Sequence, residues 1–164
     1  MLSLRTLTHA TALSVPLLFV AAMPQVWAEP HDHHDLSTAS LELNQGQKWA
    51  IVEALREGMN AIHRDINSAI ERIHANQMSG ADYSQLADNM NTPFAHIVAN
   101  CKLPAEADAQ LHIVLANMMQ GVDTIQGKTG DQQPEQGVAG IAQTLNSYGN
   151  FFQHEGWQSI DLSH

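Results

Sequence analysis

The chain has 164 residues and a net charge of −10, and all 17 of its acidic residues lie beyond residue 28 against only six of its seven lysines and arginines. The charge of −11 over that part argues against nucleic acid and anionic membrane surfaces as partners, and it suits soluble cations or a basic partner. A single cysteine, Cys101, allows no internal disulfide, and the absence of a CxxCH motif excludes covalently attached c-type haem.

Residues 1–28 read as a signal peptide. Arg5 supplies a positive n-region, Ala10 to Ala22 form a small, apolar h-region, and Val26-Trp27-Ala28 is a small-x-small cleavage signal followed by acidic Glu29. The apolar run is too short to span ~30 Å of hydrocarbon and is interrupted by Pro16 and Pro24. Cleavage after Ala28 and a periplasmic product, without membrane association once cleaved, are therefore expected. Residues 29–42 hold His31-Asp32-His33-His34-Asp35 and then a polar run without apolar period, which predicts a flexible tail.

Four amphipathic helices follow in a bundle expected over residues 43–157. Asn44 with Gln47 has the spacing of a capping box and predicts the start of the first helix. Its stripe is Val52, Leu55, Met59, Ile62, Ile66, Ala69 and Ile73, in steps of three and four, running to about Gln77. Ser79-Gly80-Ala81-Asp82 is a second capping box. It opens a helix with a stripe from Tyr83 through Leu86, Met90, Phe94 and Ile97 to Cys101, kinked at Pro93. The third helix begins at Pro104, carries Leu111, Val114, Leu115 and Met118 on its seam, and ends at Gly127. After the longest break, residues 127–133, the fourth starts near Pro134, buries Val138, Ile141, Leu145, Tyr148 and Phe152, and stops by Gly156. Trp157 is expected to fold back on the bundle end, leaving 158–164 as a C-terminal tail. The fold predicted is all-α, an antiparallel up-down-up-down four-helix bundle.

Three local patterns carry a resemblance. They are Lys48-Trp49 with Leu55-Arg56-x-Gly58-Met59, then Asn100-Cys101-Lys102-Leu103-Pro104 with Ala107-Asp108 and Leu111-His112, and finally Tyr148-Gly149 with His154-x-Gly156-Trp157. Together they resemble an uncharacterised family of small exported proteobacterial four-helix proteins, over residues 41 to 158. That resemblance implies the domain and no mechanism. In architecture alone the chain is similar to cytochrome b562 and cytochrome c′ bundles. The b562 resemblance implies haem ligation by Met59 and His154. The helical period speaks against it: Met59 lies in its stripe, but His154 falls on the opposite side of a fourth helix extended that far, as an exposed terminal histidine.

His63, His96 and His112 fall at one level of the bundle but face different directions, so convergence on a zinc or copper ion is not expected. Met59, Met90, Met118 and Met119 carry thioethers that suit copper(I), yet Met90 and Met118 occupy seam positions where methionine is core filler. Cys101, at a helix C-terminus where the dipole opposes a thiolate, reads as a largely buried structural thiol. No Ser-His-Asp order, HExxH, paired ExxH or phosphate loop is present, so no enzyme is expected.

The richest ligand constellation is His31, Asp32, His33, His34 and Asp35, where imidazoles beside carboxylates suit copper(II), zinc or nickel. If Glu29 is the first residue, His31 stands third, as in amino-terminal copper and nickel sites. Those bind through deprotonated backbone amides, and Pro30 has no amide hydrogen to lose. Side chains alone must then make the site. The function expected is a non-enzymatic metal buffer, sensor or carrier. The alternatives are a cofactor-free interaction or chaperone-like module, or a b-type cytochrome-like electron carrier. Ile113 and Phe151 both point away from their seams, and a weak homodimer through the third and fourth helices is expected on that account.

Overall fold

The computed structural model describes residues 40–163. They form four helices, α1 (Glu53–His74), α2 (Gly80–Asn100), α3 (Ala105–Ile125) and α4 (Pro134–Phe151), with no strand among the described residues beyond two isolated bridges. The fold is all-α. None of the described helices is long and apolar enough to cross a membrane. The predicted signal peptide and His31–Asp35 lie outside the described residues.

Each helix packs on two neighbours, α1 on α2 and α4, and α3 on α2 and most extensively on α4. Contacts pair the start of one helix with the end of the next. Arg72 meets Asp82 at 2.8 Å, Gly58 lies against Ile97, and Gly121 against Gly137. That pattern is compatible with an up-down-up-down course. The predicted stripes form the core: Leu55, Met59, Ile62 and Ile66 of α1 are fully buried, as are Met90, Val114, Met118, Ile141 and Leu145. Their spacing of three and four residues keeps one face inward on a helix that turns once per ~3.6 residues.

Glycines set the closest approaches. A Cβ on Gly58 would stand 2.4 Å from Ile97 Cγ1, and one on Gly137 would stand 2.5 Å from the Gly121 carbonyl oxygen. The two helix pairs therefore cross backbone to side chain and backbone to backbone. Opposite Gly58, α2 continues through Pro93 as a single element.

The ends of the helices follow local chemistry. At the start of α2, the Asp82 N–H donates to Ser79 Oγ (3.3 Å) and the Ser79 N–H to Asp82 Oδ2 (2.8 Å), the capping box read from the sequence. The hydrogen bonds from Ser79, then that from Arg72, hold the Asp82 carboxyl well below the usual carboxylate range. Both α1 and α3 stop in the same manner. Asn76 (φ +54) and Gly127 (φ +72) adopt left-handed conformations. The following N–H groups, of Gln77 and Lys128, turn back to the carbonyls of Arg72 and Asp123 at 2.8 and 2.9 Å, which satisfies carbonyls a helix end leaves unpaired.

The start of α1 differs from the expectation at Asn44. Asn44 and Gln47 exchange two backbone hydrogen bonds, of 2.8 and 2.9 Å, around Gln45 (φ +50) and Gly46 (φ +85). Two consecutive left-handed residues make a hairpin-like turn, and no α-helix can run through them. The chain then extends through Trp49 and enters α1 only at Glu53.

Both segments flanking the bundle are tied to it. Of the predicted flexible tail, residues 40–42 are anchored: the Glu42 N–H donates to Gln110 Oε1 (2.7 Å), the Trp49 indole N–H donates to the Glu42 carbonyl (2.7 Å), and Leu41 packs on the core. This segment meets α3 at Gln110. Ile113, one turn further along α3, is only 7% exposed, a correction to its expected outward position. Phe151 is half-buried and shares a cavity with Leu41. Neither residue presents the outward apolar surface on which the dimer expectation rested.

Residues 152–163 form a strap rather than a loose tail. The Trp49 N–H donates to the Phe151 carbonyl and the Gln153 N–H to the Trp49 carbonyl, both at 2.8 Å. Further along, the Asn146 side chain pairs with the backbone of Ile160 in both directions, at 2.8 and 2.9 Å, and Ile160 is buried.

Candidate functional site

Among the described residues, no three histidine, cysteine, aspartate or glutamate side chains stand close enough to hold a metal ion. The histidines of the helices have separate partners. His112 Nδ1 donates to the Asp108 carbonyl of its own helix (2.8 Å). His96 Nε2 lies 3.2 Å from Glu57 Oε2 across the α1–α2 groove. The angle there makes no hydrogen bond, so the neutral ring leaves that nitrogen buried and unbonded. Protonated, it forms an ion pair with Glu57. His63 Nε2 donates to the Gln158 carbonyl (2.8 Å), and since a carbonyl only accepts, the hydrogen of the neutral ring sits on Nε2.

At the end of the bundle where α1 starts and α4 stops, the strap assembles an aromatic and histidine cluster. The ring of Trp157 meets Tyr148 (centroids 4.9 Å apart), His154 (4.7 Å) and His63 (4.8 Å), and Tyr148 stacks on Phe152 at 4.9 Å. Gly149 makes room for the indole: a Cβ there would stand 2.3 Å from Trp157 Cδ1. The carbonyl of the same glycine accepts from Lys48 Nζ at 2.6 Å. Trp157 therefore does fold back on the bundle end. Its indole N–H is buried with no acceptor among the described residues, a cost of about 1–3 kcal/mol that aromatic packing must offset.

His154 is the largest departure from the sequence expectation. It is 7% exposed rather than at the surface. α4 ends at Phe151, so a helical angle extended to residue 154 has no meaning. The chain instead turns at Glu155-Gly156, with Gly156 at φ +77, and lays the imidazole against Tyr148. Tyr148 Oη and His154 Nδ1 share a hydrogen bond of 3.0 Å. Burial lowers the imidazole pKa below its ordinary value, with Arg56 and then His63 adding to the shift and Glu53 opposing it. Burial also raises the Tyr148 phenol above its usual range, followed by the effect of nearby Cys101. The signal for a buried His154 was the Gly156-Trp157 pair, which marks a turn and a large apolar side chain needing cover.

Cys101 caps α2 and packs partly buried against the core. Burial and then Asp108 push its thiol pKa up, which suppresses the reactive thiolate. Met59, Met90 and Met118 are fully buried core residues, whereas Met119 is exposed, so these four do not share one site. A polar cleft of about 260 Å³ runs between α1 and α2 past Asp65, Arg72, Asp82 and Asn89. Its one cationic side chain is already bound to Asp82.

Two of the patterns that carry the sequence resemblance meet at the cluster end, where Lys48 and Trp157 both contact Gly149, and Cys101 of the other acts electrostatically on Tyr148. Against family models, curated proteins and solved structures, the chain finds no match.

Proposed function

We propose that this chain is an exported, non-enzymatic metal-handling protein, a buffer, sensor or carrier of copper, zinc or nickel. In this reading the four-helix bundle is the stable body and the segment before it holds the ion. One observation carries it: His31-Asp32-His33-His34-Asp35 places five ligand-capable side chains in succession, outside every apolar period. His63, His96 and His112 support it indirectly, because they lie against different groups, the Gln158 carbonyl, Glu57 and the Asp108 carbonyl. Borderline divalent ions favour imidazole with carboxylate, and a segment without packing duties can wrap an ion at no cost to the core.

The test is titration of copper(II), zinc and nickel into the full-length protein and into a variant lacking residues 29–36. That deletion spares the anchored residues 40–42. Most divalent binding is expected to disappear, while the helical circular dichroism and the melting temperature barely change. Binding to the intact protein should weaken below about pH 6.5, as imidazoles protonate. Unchanged stoichiometry and affinity in the truncated protein would overturn the proposal and move attention to the bundle histidines.

A further inference from the structure

The strap is held to the bundle by separable contacts. Beyond Phe152, these include the Gln153–Trp49 backbone bond, the His154–Tyr148 hydrogen bond, the packing of Trp157 on Gly149, the bond from His63 to the Gln158 carbonyl, the Asn146–Ile160 pair with Ile160 and Leu162 packed on the core, and the attraction between His74 and Asp161. Of these, the His154–Tyr148 bond is the one that a proton on His154 disturbs, because Tyr148 must then accept from Nδ1 and its own buried hydrogen loses that partner. Tyr148 can donate to Nδ1 only while that nitrogen carries no hydrogen. His63 already donates from Nε2, so a second proton on its ring leaves the bond to Gln158 intact.

We propose that residues 154–163 form an acid-released clasp: charging His154 expels its ring from between Tyr148 and Trp157 and frees the strap from the groove between α1 and α4, while the four helices stay folded. This inference is independent of metal binding.

The surroundings of His154 give an imidazolium little to pair with. From α1 it faces Arg56, His63 and Glu53, and the only carboxylate of the three is already bound by Arg56. From α4 it faces Tyr148, and behind that phenol lies the Cys101 thiol, both kept neutral by burial. Lys48, from the segment before α1, adds a further positive charge one turn away at Gly149. Glu155, on the strap itself, is exposed. The aromatic faces offer a cation–π attraction, but it is opposed by burial and by two basic neighbours, and the depressed pKa of His154 reports the balance.

Docking also carries a cost, since it leaves the Trp157 indole N–H without an acceptor among the described residues. A group with a lowered pKa in the docked state binds its proton on release. Docking is therefore complete above the ordinary imidazole value near 6.5 and weakens as pH falls below it, by up to about tenfold per pH unit. Most of the core is built from the helices' own stripes, to which Phe152 and Ile160 of the strap add.

Amide hydrogen exchange of the full chain at about pH 7.5 and about pH 5, corrected for intrinsic exchange, reads this directly. Peptides covering 154–163 should lose protection at the lower pH, by up to about tenfold per pH unit below about 6.5, and peptides of α2 and α3 should hold theirs. His154→Gln should abolish the pH dependence, and His63→Gln should keep it. Equal strap protection at both pH values, or the same acid loss in His154→Gln, overturns the proposal. If His154→Gln does not fold, nuclear magnetic resonance titration of the wild type decides. A His154 midpoint below about 6.5 that moves together with the Trp157 indole signal supports the clasp. A midpoint at or above that value, or an indole signal that stays fixed through it, overturns the clasp.

Discussion

Two glycines three residues apart on α4 should respond to alanine with opposite signs. A Cβ on Gly137 would lie 2.5 Å from the Gly121 carbonyl oxygen and 2.9 Å from the Ile125 amide nitrogen, while one on Gly140 meets nothing within 4 Å. Alanine is intrinsically better than glycine in a helix by up to about 1 kcal/mol, and Gly140→Ala should realise part of that. At Gly137 both obstacles are backbone, which no rotamer change can move. Restoring ordinary contact requires α3 and α4 to part by roughly 1 Å, and a gap of that size forfeits a quarter to a half of each dispersion contact across the seam. Ile125 and Ile141 lose most there, as both are buried at this crossing. Overpacking of this kind costs about 1–3 kcal/mol and sometimes more, so the net change after the propensity gain is a loss of about 1–2 kcal/mol. In a domain of this size that lowers the melting temperature by roughly 3–8 °C, against a rise of a few degrees for Gly140→Ala. Thermal and urea unfolding followed by circular dichroism would measure both. Because Gly121 and Gly137 fail at one crossing, the double alanine variant should cost less than the two singles added. Equal stability of Gly137→Ala and Gly140→Ala would refute the backbone-to-backbone crossing.

Other outcomes follow from burial and capping. Leu111→Ala and Ile66→Ala should each cost about 2–5 kcal/mol in chemical denaturation, as buried truncations do. His96→Ala, at a half-exposed site whose Nε2 makes no hydrogen bond, should cost less than about 1 kcal/mol. Ser79→Ala should cost about 1 kcal/mol through loss of the α2 cap. The Asp82 carboxyl is held below its ordinary value of 3.8 by Ser79 and Arg72. Its contribution is therefore present above that value and lost as pH falls below it, and Asp82→Asn should flatten that acid limb of the stability curve.

The bundle was legible because its signals are local and repeated. A stripe such as Leu55, Met59, Ile62 and Ile66 needs only helical spacing to be read, and the Ser79–Asp82 box and Gly127 mark ends by chemistry their own turns supply. Asn44–Gln47 misled because the same spacing serves a cap and a two-residue turn, and the left-handed backbone of Gln45 and Gly46 decides between them. Ile113 was judged from the period of one helix, which reports nothing of segments that return from elsewhere in the chain, as Glu42 does to Gln110 from 68 residues away. His154 was judged as helical although its helix ends three residues before it. At the cluster, only the return of Trp157 was legible. The Tyr148–His154 bond depends on a turn and on Gly149, which no periodicity reports.

The proposed metal binding and the proposed strap docking would both weaken with acid, yet their linkages separate them. In the proposed metal segment, the proton would compete with an ion for His31, His33 and His34, so added metal should shift the apparent midpoint by mass action. At the strap the proton competes with burial, and metal outside the cluster does not enter that equilibrium. A variant lacking residues 29–36 should therefore keep the acid transition of the Trp157 signal, and His154→Gln should keep divalent binding at neutral pH. The two ends of the bundle chain do meet, through the Trp49 bonds to Phe151 and Gln153. Those bonds lie before the released segment, which begins at His154, so opening the clasp leaves the anchor of Leu41 and Glu42 in place. A strap transition that moved with zinc concentration would show instead that the ion reaches the cluster, and the separation argued from Trp49 would fail.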